Sequence, residues 1–234
     1  MNSLRPVELR SFVSMSARPQ QRRKNDPERT KADILDAATE EFATHGLAGG
    51  RIDAIAEKTR TSKRMIYYYF GGKEDLYLAV LERSYRQIRT LEADLRLDDL
   101  SAEDALRVLI SETFDYDEAH PDFIRLVSSE NINCAAHMRR SETLLDLNIS
   151  IIEMLEKIID RGGRDGVFLR RTDAIDVHML ISAFCFFRVS NRYTFGAIFR
   201  RDLSEEGLMA RHKQMISDAV VSYLKTPDVS SGEG

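Results

Sequence analysis

Between Ser62 and Lys73 the chain sets out hydroxyls, phenols and cations at close spacing: Ser62, Lys63, Arg64, Tyr67, Tyr68 and Lys73. These types suit a polyanion. Lysine and arginine pair with phosphate oxygens, arginine reads the guanine edge, and hydroxyls donate to phosphate. At helical spacing Lys63, Arg64, Tyr67 and Tyr68 share one side, while Met65, Ile66, Tyr69 and Phe70 fall on the other as core. Ser62 has a second use, because its oxygen can accept an open N–H at the start of that helix.

Such a face needs elements to hold it. A first helix is expected from Glu28 to about His45, with Ile34, Leu35, Ala38, Phe42 and Ala43 at helical spacing and Gly46 as its left-handed stop. Residues 47–50 read as a loop. A second helix follows from Arg51 to Thr59, with Ile52, Ile55 and Ala56 inward. Thr59-Arg60-Thr61 interrupts it, and the third helix runs from Lys63 to Phe70. Gly71-Gly72 stops that helix, and a fourth begins near Lys73 with Glu74 and Asp75 at its positive end. Two short helices around a tight turn, the second one polar on its outer side, form a helix-turn-helix, whose second helix enters the major groove.

Residues 28–76 resemble the DNA-binding head of the TetR family. The resemblance rests on Ile34-Leu35-Asp36-Ala37-Ala38 with Phe42 and Gly46, on Ile55-Ala56, on Ser62, and on Ile66-Tyr67-Tyr68-Tyr69-Phe70-Gly71-Gly72-Lys73-Glu74-Asp75-Leu76. It implies that Thr61, Ser62, Lys63 and Arg64 approach bases or phosphates. It also implies that the Tyr67 and Tyr68 hydroxyls bind phosphate, and that Lys73 grips another at a helix N-terminus. Two positions depart from the family pattern. Arg60 stands where Gly is usual, and an arginine in a left-handed turn costs about 1 kcal/mol. Either the turn is built differently, or the strain is accepted and Arg60 touches the DNA backbone. Arg51 stands where Ser or Thr often caps the second helix; Arg cannot accept such a bond, which leaves Gly50 as the cap and Arg51 available to phosphate.

The remaining pattern is helical: amphipathic segments at about 75–95, 101–119, 121–133, 138–161, 172–195 and 205–225, with residues 162–166 as a turn. The fold class expected is all-α: a three-helix helix-turn-helix head followed by a helical bundle for ligand binding and dimerisation. The divisions are 1–27, a flexible basic arm; 28–76, the head; 77–225, the bundle; and 226–234, a disordered tail. The arm either contacts DNA or has no role. The segment 172–195 is apolar nearly all round, so burial on several sides is expected. Leu208, His212, Met215, Ile216, Ala219, Val220 and Tyr223 form a stripe that wants a partner helix. These last two helices are therefore expected to pair in a homodimer. Polar residues along the buried segments, Asn131, His178, Arg188, Asn191 and Arg192, are the candidate ligand contacts. Asn133 and His137 lie near the same junction. The arginines suggest an anionic, carbonyl-bearing or aromatic effector, unless they make ion pairs instead and His178 is a satisfied core residue. Ligand release of a palindromic double-stranded operator, by a two-state linkage, is the mechanism expected.

Composition sets the outer bounds. The net charge is −4, but cations outnumber acids over the first 75 residues and acids prevail beyond, a mildly basic head on an acidic body. Cys134 and Cys185 lack metal-ligand spacing and read as buried thiols in a reducing compartment, so neither a metal nor a cofactor is expected. No run approaches the ~20 apolar residues of a membrane span, and the N-terminus lacks the apolar stretch of a signal peptide, so a soluble cytoplasmic protein is expected. No nucleophile elbow, phosphate-cradling glycine loop or HExxH spacing supports an enzyme; only His120, His137, His178 and His212 with scattered acids could meet in space. A transcriptional activator of the same fold, or a helical interaction module that has lost DNA binding, stand as alternatives.

Overall fold

Asp26 starts the first helix in a computed structural model that describes residues 26–227. Its carboxylate accepts the Glu28 and Arg29 N–H groups at 3.2 Å, and Pro27 needs no donor there. Helix α1 (Pro27–Gly49) buries Ile34, Ala37, Ala38 and Phe42. Gly46 adopts φ 65°, and the chain kinks there rather than stopping. Residues 47–49 add one more helical turn where a loop was expected. Only a residue without a Cβ takes that φ cheaply.

Helices α2 (Ile52–Thr59) and α3 (Lys63–Phe70) follow, then α4 (Lys73–Ala93), α5 (Ala102–Ala119), α6 (Pro121–Ile132), α7 (Glu142–Arg164), α8 (Ala174–Ser190), α9 (Arg192–Phe199) and α10 (Glu206–Lys225). The described residues contain no strand, in keeping with the all-α expectation. Arg51, not Gly50, occupies the cap position of α2, with its own N–H donated to the Glu41 carboxylate at 2.8 Å. The proposed basic arm falls almost wholly on residues outside those described, as does most of the proposed tail.

Three expectations about the body change. The 138–161 helix is split: Met138–Arg140 is a 3-10 turn, and Ser141 then caps α7 by accepting the Leu144 N–H at 3.2 Å. Residues 162–164 continue α7 instead of turning. A Cβ on Gly162 would lie 2.1 Å from the Phe168 ring, so that glycine makes room for the ring as the chain folds back. The 172–195 segment breaks at Asn191 into α8 and α9.

Two cores result. One lies among α5, α7, α8 and α10, around Leu106, Leu109, Phe114, Leu155, Ile181 and Val220. The other belongs to the head: Ile34, Phe42, Ile55, Ile66, Leu76, Tyr77 and Val80, closed by Leu126 from α6 and Leu144 from α7. Helix α4 runs unbroken through residue 76 and gives Leu76, Tyr77, Val80 and Leu81 to the head's core. No helix among the described residues is long and apolar enough to cross a membrane.

Candidate nucleic-acid interface and ligand cavity

Helix α3 is short and held at both ends. Ser62 Oγ accepts the Met65 N–H at 3.2 Å, and Ile66 is wholly buried between α1, α2 and α4. That anchor turns Lys63, Arg64, Tyr67 and Tyr68 to solvent; Tyr68 is 77% exposed. Exposed phenols beside cations have no core to fill, so their exposure suits contact with a partner surface. The Lys63 ammonium pairs with Asp53 of α2. Both ends of that pair are exposed, so releasing it costs only about 0–1 kcal/mol.

The turn before α3 answers the question raised by Arg60. It adopts φ 53°, ψ 34°, the left-handed region. Its N–H donates to the Glu57 carbonyl at 3.2 Å, and the Thr61 N–H reaches back to Ala56 at 3.0 Å. This paired closure of a helix end offsets the strain of a non-glycine residue there. The Arg60 side chain is exposed beside α3, as is Arg51 at the start of α2. Among the described residues no ion pair engages Arg51, Arg60 or Arg64. Thr61 is half-buried in the turn. Lys73 opens α4, and its ammonium donates to the Ala48 carbonyl at 3.2 Å, tying the head's last helix to the kinked end of its first.

The five residues singled out for ligand contact do not assemble. Asn131 is exposed near the end of α6, its carbonyl taken by the Cys134 N–H. Arg188 is 3% exposed and fully engaged: its Nε meets Glu118 at 3.1 Å, another N–H meets the Leu203 carbonyl at 2.8 Å, and a third meets His212. Arg192 takes the other Glu118 oxygen at 2.6 Å. Asn191 donates to Ser190 at 2.8 Å. Of the five, His178 alone lines the cavity that lies between α4, α5, α6, α7 and α8.

That cavity measures about 210 Å3. Helix α4 contributes Tyr85, Arg89 and Glu92; α5 contributes Asp117; α6 contributes Phe123 and Val127; and α8 adds Phe186 beside His178. Arg89 and Glu92 are paired at 2.6 Å. Asp117 is 5% exposed, and no hydrogen bond or ion pair holds its carboxylate among the described residues. Burial, then the neighbouring Glu118 and Glu92 charges, push its pKa up to about 7 against the pull of Arg89. Burial likewise lifts Glu92 to about 7, and burial with Arg89 pushes His178 down to about 4. Sequence reasoning missed Arg89, Glu92 and Asp117, although a signal was there. Glu92 repeats Ile88 and Tyr85 at helical spacing, and Asp117 repeats Phe114 and Ile110, so charges stood on inward stripes.

The raised acids predict a pH effect. A carboxyl whose pKa rises on folding stabilises the protein below its unfolded pKa, and that contribution is lost as pH climbs through the folded value. Asp117→Asn is therefore expected to gain stability relative to the parent as the pH moves from about 5 to about 8, read as a growing Tm difference; His178 contributes equally to both proteins and cancels. A flat difference would show that Asp117 carries no unfavourable charge.

Helix α6 faces both ways. Phe123, Ile124 and Val127 border the cavity while Leu126 sits in the head's core. At its far end the buried Glu130 carboxylate accepts the His137 and Met138 N–H groups at 3.2 Å and pairs with His137 Nδ1 at 2.9 Å. The His137 ring packs edge-on to Tyr77 of α4. The remaining histidines are scattered: His120 stacks on Tyr116 and His212 meets Arg188. Cys185 is buried as expected, but Cys134 is exposed, carried out on the segment after α6.

Comparison with known proteins matches this arrangement. Residues 34–80 fit the model of bacterial regulatory proteins of the tetR family, and residues 103–220 fit a tetracyclin repressor-like C-terminal domain. The HTH-type transcriptional repressor NicS of Pseudomonas putida is 36% identical over 87% of this chain and 96% of its own length. The HTH-type transcriptional repressor SCO4008 of Streptomyces coelicolor is 41% identical over 46% of this chain and 52% of its own. Among solved structures, the putative transcriptional regulator SCO4942 from Streptomyces coelicolor superposes with a TM-score of 0.63 at 29% identity, covering 85% of this chain and 99% of that one. Sequence, fold and the order of head and body agree: the chain belongs to the TetR family of transcriptional regulators, which are not enzymes.

Proposed function

We propose that this chain is a cytoplasmic repressor that holds a palindromic operator as a homodimer and lets it go when a small molecule fills the cavity. The observation that carries the reading is the outer face of α3, where Lys63, Arg64, Tyr67 and Tyr68 stand exposed on a helix anchored by buried Ile66. Ser62 and Thr61 lead into that face, and Arg51, Arg60 and Lys73 flank it with charge, the set needed to grip phosphates on either side of a groove. Family members bind DNA operators and small-molecule effectors, typically as dimers, and the relatives named above as repressors favour blocking over activation. The test of operator binding is selection from a random duplex pool followed by footprinting. Two protected half-sites about one turn of DNA apart are expected; failure to enrich any sequence would contradict the reading.

The pairing surface follows from what α8 and α10 leave outside. Ile175, Met179, Ala183 and Phe187 repeat once per turn along the exposed side of α8. The α10 stripe divides: Leu208, Ile216 and Val220 are buried within the subunit, while Met215 and Ala219 face outward. One exposed apolar stripe on each of two neighbouring helices suits a four-helix contact with a second copy. Ala183→Glu together with Met215→Glu is expected to turn a dimer into a monomer in sedimentation at micromolar concentration and to weaken operator binding with it. A parent chain that sediments as a monomer rejects the arrangement.

Release runs through α6 in this reading. A molecule wedged against Phe123 and Val127 displaces the helix that carries Leu126 into the head's core and Glu130 onto the His137 backbone. A shift there changes the spacing of the two α3 helices and moves the population off DNA.

A further inference from the structure

The cavity's walls say what kind of molecule belongs in it, and the inference rests on the reading of that cavity as the ligand site. Three aromatic rings border it, Tyr85, Phe123 and Phe186, with Tyr85 and Phe123 packed edge to face at 5.2 Å between centroids. Its volume of about 210 Å3 exceeds the roughly 150 Å3 apolar cavity that admits benzene, which leaves room for one ring and a short substituent.

The charges are unequal. Arg89 and Glu92 of α4 neutralise each other. Glu118, beside Asp117 on α5, pairs with both Arg188 and Arg192, and none of these three lines the cavity, so the cavity's charged lining is one cation, Arg89, against two acids, Glu92 and Asp117. Helices α6 and α7 face the cavity with Phe123, Val127 and Asn148, which carry no charge, and Glu130 of α6 is taken up by the His137 segment. From α8 comes His178, held neutral by burial and Arg89. Asp117 remains, a buried carboxylate without a partner among the described residues. A buried charge is costly unless it is paired, and a cation over aromatic faces gains further attraction when desolvated. Arg188 and Arg192, the arginines that suggested an anionic ligand, both pair with Glu118 and do not line this cavity.

We propose that the effector is a one-ring aromatic amine, cationic at neutral pH, whose ammonium is bound by the Asp117 carboxylate and whose ring lies among Tyr85, Phe123 and Phe186. Arg89 positions Glu92 and keeps the rest of the wall neutral, so the cavity accepts one positive charge and rejects a negative one.

The test uses the full chain with benzylamine, benzyl alcohol and benzoate, matched in size and different in charge, read by calorimetry and by Tm. Benzylamine is expected to bind at least about tenfold more tightly than the other two, the range of a charge-assisted bond. Its affinity should fall about tenfold from pH 8 to pH 6, as Asp117 takes up the proton that the ligand must displace. Asp117→Asn should lose both the preference and the pH dependence. The pH profile of the parent stands by itself if that variant does not fold. Benzoate binding as well as benzylamine overturns the assignment of charge and leaves the cavity as the ligand site. Absence of binding by all three at millimolar concentration overturns the assignment altogether. Benzylamine that binds without releasing the selected operator supports the assignment and contradicts ligand release, so the two readings fail separately.

Discussion

Truncating Glu118 to alanine is expected to cost about 3–5 kcal/mol of folding free energy, measured as a shift of the urea midpoint at constant slope. The reason is what the change leaves behind. Arg188 is 3% exposed and lies over the Phe114 ring. Glu118 supplies its balancing charge at 3.1 Å and binds Arg192 as well. Without that carboxylate a guanidinium stays inside the bundle with the Leu203 carbonyl, His212 and the Phe114 ring but no balancing charge. Arg192→Ala should cost much less, because Glu118 keeps Arg188. Replacing the pair together, Glu118→Leu with Arg188→Met, should recover most of the loss, since apolar side chains of similar volume need no compensating charge. A loss below about 1 kcal/mol for Glu118→Ala, or one matched by Arg192→Ala, would show that the pair is not the anchor described.

Arg64→Ala should weaken binding to the selected operator by about 1–3 kcal/mol and flatten discrimination against a single base change. Lys73→Ala should behave differently. If Lys73 grips phosphate as proposed, every duplex should lose affinity alike, and the slope of log affinity against log salt should fall by about one. The contrast separates reading from gripping. It works because Arg64 stands on the outer face of α3, while Lys73 lies at the start of α4 and is tied to Ala48. Equal losses on specific and random duplexes for Arg64→Ala would remove it from the reading set.

The head was legible because its signals are local. Ser62 caps the helix it precedes, Gly46 takes a positive φ where a glycine was singled out, although the chain kinks there instead of stopping, and the period of Met65 to Phe70 sorts core from surface within two turns. Helix count in the body was less so. The break at Ser141 is made by a side-chain cap and the one at Asn191 by a non-helical backbone between two apolar segments, and periodicity alone bridges both. The polar sites of the body were the hardest to see. Arg188 looked like a ligand contact because its partner lies 70 residues away on another helix. Asp117 was passed over: its place on the inward stripe of Phe114 and Ile110 is visible in the sequence, but the closing of α4, α6 and α8 over it is not. Charge balance inside a bundle is a property of packing, and one strand of sequence carries only half of each pair.

The head's core closes only with Leu126 and Leu144, and it includes Tyr77, Val80 and Leu81 from the middle of α4. Chimeric regulators built by exchanging heads therefore need a seam other than 76/77. A cut there severs a continuous helix and strips three buried side chains from the piece being moved. A workable graft carries α4 at least through Leu81 and finds, on the receiving body, apolar groups standing where Leu126 and Leu144 stand. The outer side of α3 takes no part in that seam, so on the proposed reading operator preference should be open to rewriting there in place, a simpler route to a new address than a graft.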